Sequence, residues 1–99
     1  MSKYAYPAIF LEDKDDGGYV VCFPDLDGCC TQGKDIVEAL EMAEDVLNLM
    51  IMSAEDDGKT IVPPSDIRSL SLKDNEFASM VRCDTDEYRK LLDEMHRKR

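Results

Sequence analysis

The sequence predicts an α+β fold: a three-stranded antiparallel meander, one main helix packed on the sheet, a fourth strand and a C-terminal helix, in the order β-β-β-α-β-α. Three observations carry that expectation. Residues 4–32 hold three short runs, the first two rich in β-branched and aromatic residues, separated by Gly, Pro and Asp clusters. Residues 35–54 repeat apolar side chains at helical spacing behind a capping signal. A further extended run, 76–83, leads directly into a second capped amphipathic segment. Strands joined by short loops pair as antiparallel neighbours. The face of such a sheet must then be covered, and the segment that follows can do it.

Tyr4 to Leu11 reads as the first strand, with Pro7 arguing for an edge or strand-entry position. Glu12 to Gly18 is a charged hairpin loop. Its carboxylates lack the alternate-oxygen register and the later Glu of a calcium loop, so it reads as a solvated turn. Gly17-Gly18 permits positive φ on entry to the second strand, Tyr19 to Phe23. Pro24 ends that strand, and Asp25-Leu26-Asp27-Gly28 supplies turn chemistry, Gly28 taking the left-handed position. Cys29 to Gln32 is the third strand, closed by Gly33.

The main helix runs from Asp35 to about Ala54. Asp35 is a good N-cap, and Glu38 three residues on completes a capping box. Ile36, Leu40, Ala43, Leu47, Met50 and Ala54 form the core stripe, widened by Ala39, Val46 and Ile51. Glu38, Glu41, Glu44, Asp45 and Asn48 fall on the far side. Met42, Leu49 and Met52 lie outside the stripe, where flank packing is expected ahead of an adaptable partner surface. Gly58 terminates the helix, and Ile61 to Ser65 is an extended, proline-bearing linker. Residues 65–75 carry no clear pattern and read as irregular. Glu76 to Cys83 is the fourth strand. Asp84 caps the last helix, whose apolar stripe is Tyr88, Leu91, Leu92 and Met95. The basic tail His96-Arg97-Lys98-Arg99 suits a helix C-terminus.

Ninety-nine residues make one domain, 1–99, large enough for a single core. Neither a signal peptide nor a membrane-length apolar run is present, so a soluble, cytoplasmic protein with no membrane partner is expected. The net charge of −10 disfavours a phosphate backbone as direct partner and favours a basic one. That charge is uneven: four Lys/Arg stand against fifteen Asp/Glu up to Ile67, and eight against seven from Arg68 onward. The acidic surface therefore belongs to the first two-thirds. Cys22, Cys29, Cys30 and Cys83 form no Cys-x-x-Cys pair, and the single His96 is far from them. Zinc spacing is absent, and Cys22 with one of the vicinal pair reads as small buried hydrophobes. Neither a phosphate-cradling loop nor a Cys–His triad is recognisable. The expectation is no catalytic residues, no cofactor and no metal.

The run Tyr6-Pro7-Ala8-Ile9-Phe10, the acidic loop, Gly17-Gly18-Tyr19 through Phe23-Pro24-Asp25-Leu26 to Gly28-Cys29-Cys30-Thr31-Gln32-Gly33, and the helix start Asp35 to Leu40 resemble the HicB antitoxin family. The resemblance continues to Pro63-Pro64 and the later strand, covering nearly the whole chain. It implies a partial ribonuclease-H-like fold and a non-enzymatic antitoxin of a type II toxin-antitoxin system. Its partner would be a small basic HicA-type toxin that cleaves RNA. Exposed carboxylates would cover that toxin's RNA-binding surface and its catalytic histidine, with Asp25, Asp27, Glu38, Glu41 and Asp45 as the expected contacts. Edge strands and the apolar final helix also make a homo-oligomer plausible, with or without a toxin. A metal-dependent nuclease is the remaining alternative. It would need carboxylates among Glu12, Asp25, Asp27, Glu38 and Glu41 to converge. Members of the family often carry a C-terminal ribbon-helix-helix or helix-turn-helix module. Too few residues remain before Arg99 for such a module: either this member lacks it or the sequence is a piece of a longer chain, and direct DNA binding is not expected without an added C-terminal module.

Overall fold

The computed structural model describes residues 3–97. Strands β1 (Lys3–Glu12), β2 (Tyr19–Cys22), β3 (Cys30–Gly33) and β4 (Glu76–Asp84) form a single sheet of order β3-β2-β1-β4. Every neighbouring pair is antiparallel. Helix α1 (Ile36–Asp56) joins β3 to β4 and helix α2 (Thr85–Arg97) follows β4, as the sequence predicts. The fourth strand returns beside the first, in register from Lys3 opposite Asp84 to Leu11 opposite Glu76. That makes β1 a central strand despite Pro7. The contradiction dissolves locally, because β2 pairs with β1 only from Ile9 onward. On that side Pro7 has no ladder to interrupt.

Alternation along β1 sets the core. Tyr6, Ala8 and Phe10 are fully buried on the face that α1 covers, together with Val21, Val81 and Cys83 from neighbouring strands. Phe10 stacks on Phe77, its register partner, at 5.0 Å between ring centres, and Tyr19 meets Phe77 edge-on at 6.1 Å.

Both ends of α1 follow their sequence signals. The Asp35 carboxylate accepts from the Glu38 amide at 2.8 Å, and the Glu38 carboxylate accepts from the Lys34 amide at 2.8 Å. One of the helix's otherwise unpaired donors, the Glu38 amide, is thereby satisfied, together with the Lys34 amide just ahead of the cap. Asp35→Ala is expected to cost about 1 kcal/mol, read as a lower midpoint at unchanged slope in urea unfolding. At the far end Gly58 takes φ +69°. Its amide donates to the Glu55 carbonyl and that of Lys59 to the Ala54 carbonyl, the Schellman pattern.

The face of α1 differs in part from the expected one. Ala39, Ala43, Leu47 and Ile51 are buried, and Val46, Met50 and Ala54 are half-buried. Ile36 and Leu40, however, are 37% and 40% exposed. The first turns pack on the short edge strand β3 through the Ala39 side, where Gly33 lies close beneath the helix main chain, and Ile36 and Leu40 remain part-exposed beside that contact. Asn48, expected on the solvent side, is buried. Its amide donates to the Glu44 carbonyl at 2.8 Å, and its oxygen accepts from the Asp84 amide at 3.0 Å. The β4–α2 junction lies against that side of the helix, and the carboxamide satisfies the backbone there.

Asp84 caps α2 as predicted, accepting from the Glu87 amide at 3.1 Å. The Tyr88 hydroxyl donates to Asp45 at 2.8 Å, and Arg89 reaches Asp56 at 2.9 Å and Glu55 at 3.2 Å. Polar bonds thus help to hold α2 along α1. Of the predicted apolar stripe, Tyr88 and Leu92 are half-buried, while Leu91 and Met95 are exposed. Lys98 and Arg99 of the predicted basic tail lie outside the described residues. The segment between α1 and β4 contains only the short 3-10 turn Ile67–Ser69. It is pinned where the Tyr6 hydroxyl donates to the Val62 carbonyl and the Ser65 amide donates to Asp25.

The cysteine expectation needs correction. Cys29 and Cys83 are the buried pair, whereas Cys22 is half-buried and disulfide-bonded to exposed Cys30. The turn between β2 and β3 places Cys30, and not Cys29, opposite Cys22, with Cα atoms 4.1 Å apart. Cys29 turns inward instead, its carbonyl accepting from the Phe23 amide. Burial pushes the Cys83 thiol up to about 12 and raises that of Cys29 as well. Both behave as small hydrophobes rather than nucleophiles.

Candidate partner-binding surface

The five predicted contact residues fall in two places. Asp25 and Asp27 sit on the β2–β3 loop, and Glu38, Glu41 and Asp45 on the outer side of α1.

The loop pair borders a groove of about 280 Å³ between that loop, the C-terminal half of α1 and the chain after it. Met50, Ile51 and Ile61 contribute an apolar floor, and Asp57 adds a third carboxylate to the rim. Asp57 faces Lys59 at 3.9 Å, both well exposed, so that pair is screened by water and weak. Asp25 is not free for a partner. Both its oxygens are taken by Ser65, one by the amide at 2.8 Å and one by the hydroxyl. Beneath it the Tyr6 hydroxyl is raised to about 12, chiefly by burial, with the charges of Tyr4, Cys83 and Asp25 adding to it. Asp25 therefore ties the linker to the sheet. Asp27 is exposed and has no partner among the described residues.

On α1, helical spacing puts Glu38, Glu41, Met42, Asp45 and Leu49 along one outward stripe. Met42 and Leu49 are 40% and 49% exposed, so they do not flank the core as expected. Methionine and leucine between carboxylates make this stripe both acidic and adhesive. Two of its three carboxylates already have internal roles. Glu38 caps the helix, and Asp45 accepts from Tyr88. Burial of Tyr88, followed by that bond to Asp45, pushes its hydroxyl up to about 12. Glu41 alone on the stripe is exposed and unbonded among the described residues.

Sequence reasoning missed Asp57 and Met50 as parts of the groove. Only the folding of the chain after Gly58 back along α1 brings them beside Asp27. The nuclease arrangement is not assembled: Asp25 is bonded to Ser65, and Glu38 caps a helix. Among the described residues, groups of three His, Cys, Asp or Glu side chains placed to hold a metal ion are absent. None of the described helices is long and apolar enough to cross a membrane.

Comparison with known proteins agrees with this architecture. The chain is 52% identical over 42 residues to antitoxin HicB 1 of Photorhabdus laumondii, a stretch covering 42% of this chain and 26% of that one. The chain thus matches about a quarter of that relative's length. It is 36% identical to a chain of a toxin-antitoxin complex from Streptococcus pneumoniae, with a TM-score of 0.79. That superposition covers 87% of this chain and 72% of the other. A chain of a HicA3 and HicB3 toxin-antitoxin complex superposes with a TM-score of 0.66 at 25% identity, over 82% of this chain and 99% of that one. Residues 6–96 match the model of the HicB-like antitoxins of bacterial toxin-antitoxin systems, and the chain belongs to that family.

Proposed function

We propose that the chain is a cytoplasmic antitoxin that binds and neutralises a small basic HicA-type toxin, one that cleaves RNA. The family match over residues 6–96 carries this reading. The charge distribution supports it, since nearly all the excess acid lies in the part that forms the meander and α1. The protein would act as a rigid cover. The α1 stripe and the groove beside Asp27 would meet the toxin's basic surface and keep RNA from it. Long-range attraction between opposite charges would speed encounter more than it deepens final affinity.

Glu41 and Asp27 are the best reporters, because neither has an internal bond to lose. With a HicA-type toxin, Glu41→Lys combined with Asp27→Lys should slow association about tenfold at low salt. The difference should shrink as salt rises, because exposed charges are screened. Surface plasmon resonance over a salt series checks both. Failure of the unsubstituted chain to form any complex with its toxin at low salt would remove the reading. An unchanged association rate in the double variant would remove only these two contacts.

A further inference from the structure

We propose that the Cys22–Cys30 disulfide is a redox-sensitive modification site: a dithiol reductant opens it, and its opening loosens the β2–β3 loop that walls the groove beside Asp27. The inference rests on the antitoxin reading for its compartment and for what the groove holds.

Cys22 and Cys30 are the last register pair of the β2–β3 ladder on the loop side. β3 itself is an edge strand of only four residues. Past that pair the loop is held by short-range backbone bonds. The Phe23 amide donates to the Cys29 carbonyl, the Leu26 amide to the Phe23 carbonyl and the Cys29 amide to the Leu26 carbonyl. The covalent bond therefore closes the neck of the loop. Asp25, Leu26 and Asp27 stand directly on that neck and line the groove with Met50, Ile51 and Ile61. Cross-linking a neck removes open conformations of the segment it closes, and cutting the link returns them. The bonds from Ser65 to Asp25 hold the near side of the loop. The part set free is Leu26 to Cys29, which includes Asp27.

Exposure decides which sulfur is attacked. Cys30 is exposed and Cys22 half-buried. A thiolate of the reductant attacks the Cys30 sulfur, the S–S bond breaks, and Cys22 leaves as a thiolate that takes up a proton. The second thiol of the reductant then displaces Cys30 from the mixed disulfide. Two electrons and two protons pass to the chain, and the reductant departs as its own disulfide. Cys29, next in sequence to Cys30, does not compete, because it is buried and burial raises its thiol. Cys83 is buried too, with its thiol raised in the same way. An accessible disulfide in a reducing compartment is a transient, sensing bond rather than a permanent staple.

The full chain without toxin gives the first test. Native protein treated with dithiothreitol and then iodoacetamide should be alkylated at Cys22 and Cys30 but not at Cys29 or Cys83. Hydrogen exchange at the Leu26 and Cys29 amides should quicken about tenfold on reduction, while exchange in β1 stays unchanged. Cys22→Ser combined with Cys30→Ser should exchange at the reduced rate and ignore dithiothreitol, which ties the change to the bond and not to the reagent. A HicA-type toxin should then leave the reduced chain about tenfold faster than the oxidised one, because a loop already ordered loses less freedom on binding. Alkylation of Cys30 without reductant overturns the inference, as does a bond that yields to dithiothreitol only after unfolding. Loop exchange indifferent to reduction, or equal toxin release from the two states, overturns it as well. Absence of any complex in either state is a separate failure, that of the antitoxin reading, and the measurements on the chain alone still decide the redox site.

Discussion

Gly33→Ala is expected to destabilise the protein by at least ~3 kcal/mol, a large share of what a domain of this size possesses. The backbone conformation is not the reason, because Gly33 has no positive φ. The reason is contact. A Cβ at Gly33 would stand 2.4 Å from the Ala39 nitrogen, 2.6 Å from its Cα and 2.9 Å from the Glu38 carbonyl carbon. All three are main-chain atoms of the first helical turns, so no side chain can swing aside. Either β3 must part from β2, or α1 must lift from the sheet and uncover Ala39 and Ala43. A fall in melting temperature of well over ten degrees is expected by circular dichroism. A variant melting within two or three degrees of the parent would show that helix and strand do not approach this closely.

Phe10→Ala should cost about 3–5 kcal/mol, the range for removing a fully buried aromatic side chain. Phe10 lies on the central strand between Val21 and Phe77, its register partners, and is wholly inaccessible to solvent. Its loss leaves a void bordered by β-strands on both sides, which cannot close inward without breaking ladder bonds. Phe77→Ala should cost less than half as much, because its outer side is already in water. Urea unfolding of the two variants side by side checks the ordering. Equal losses would place Phe77 in the core.

Much of this fold is legible from local signals. Asp35 with Glu38, Gly58, and Asp84 with Glu87 each mark a helix end, because caps depend on residues within one turn. Strand positions were equally readable from β-branched and aromatic runs between turn residues. Facts that depend on distant segments were not readable. The exposure of Ile36 and Leu40 follows from where α1 crosses the sheet, not from their spacing. Asn48 looks polar and outward until the β4–α2 junction arrives beside it. The Cys22–Cys30 bond had a local signal, a short turn between two strands, but needs the true register to show which of the vicinal pair is opposed. At the candidate surface, the sequence alone could not tell a carboxylate with an internal partner from an idle one. Asp25, Glu38 and Asp45 are engaged, while Asp27 and Glu41 are idle.

The pairing of β1 with β4 has a bearing on synthesis. Residues 3–11 emerge from the ribosome well before their partner, residues 76–84. Until then the growing chain presents β1 with one flank open, a period in which mispairing with other chains is possible. The acidic hairpin at Glu12 to Asp16, translated directly behind that strand, places like charges on neighbouring nascent chains and keeps them apart while they wait.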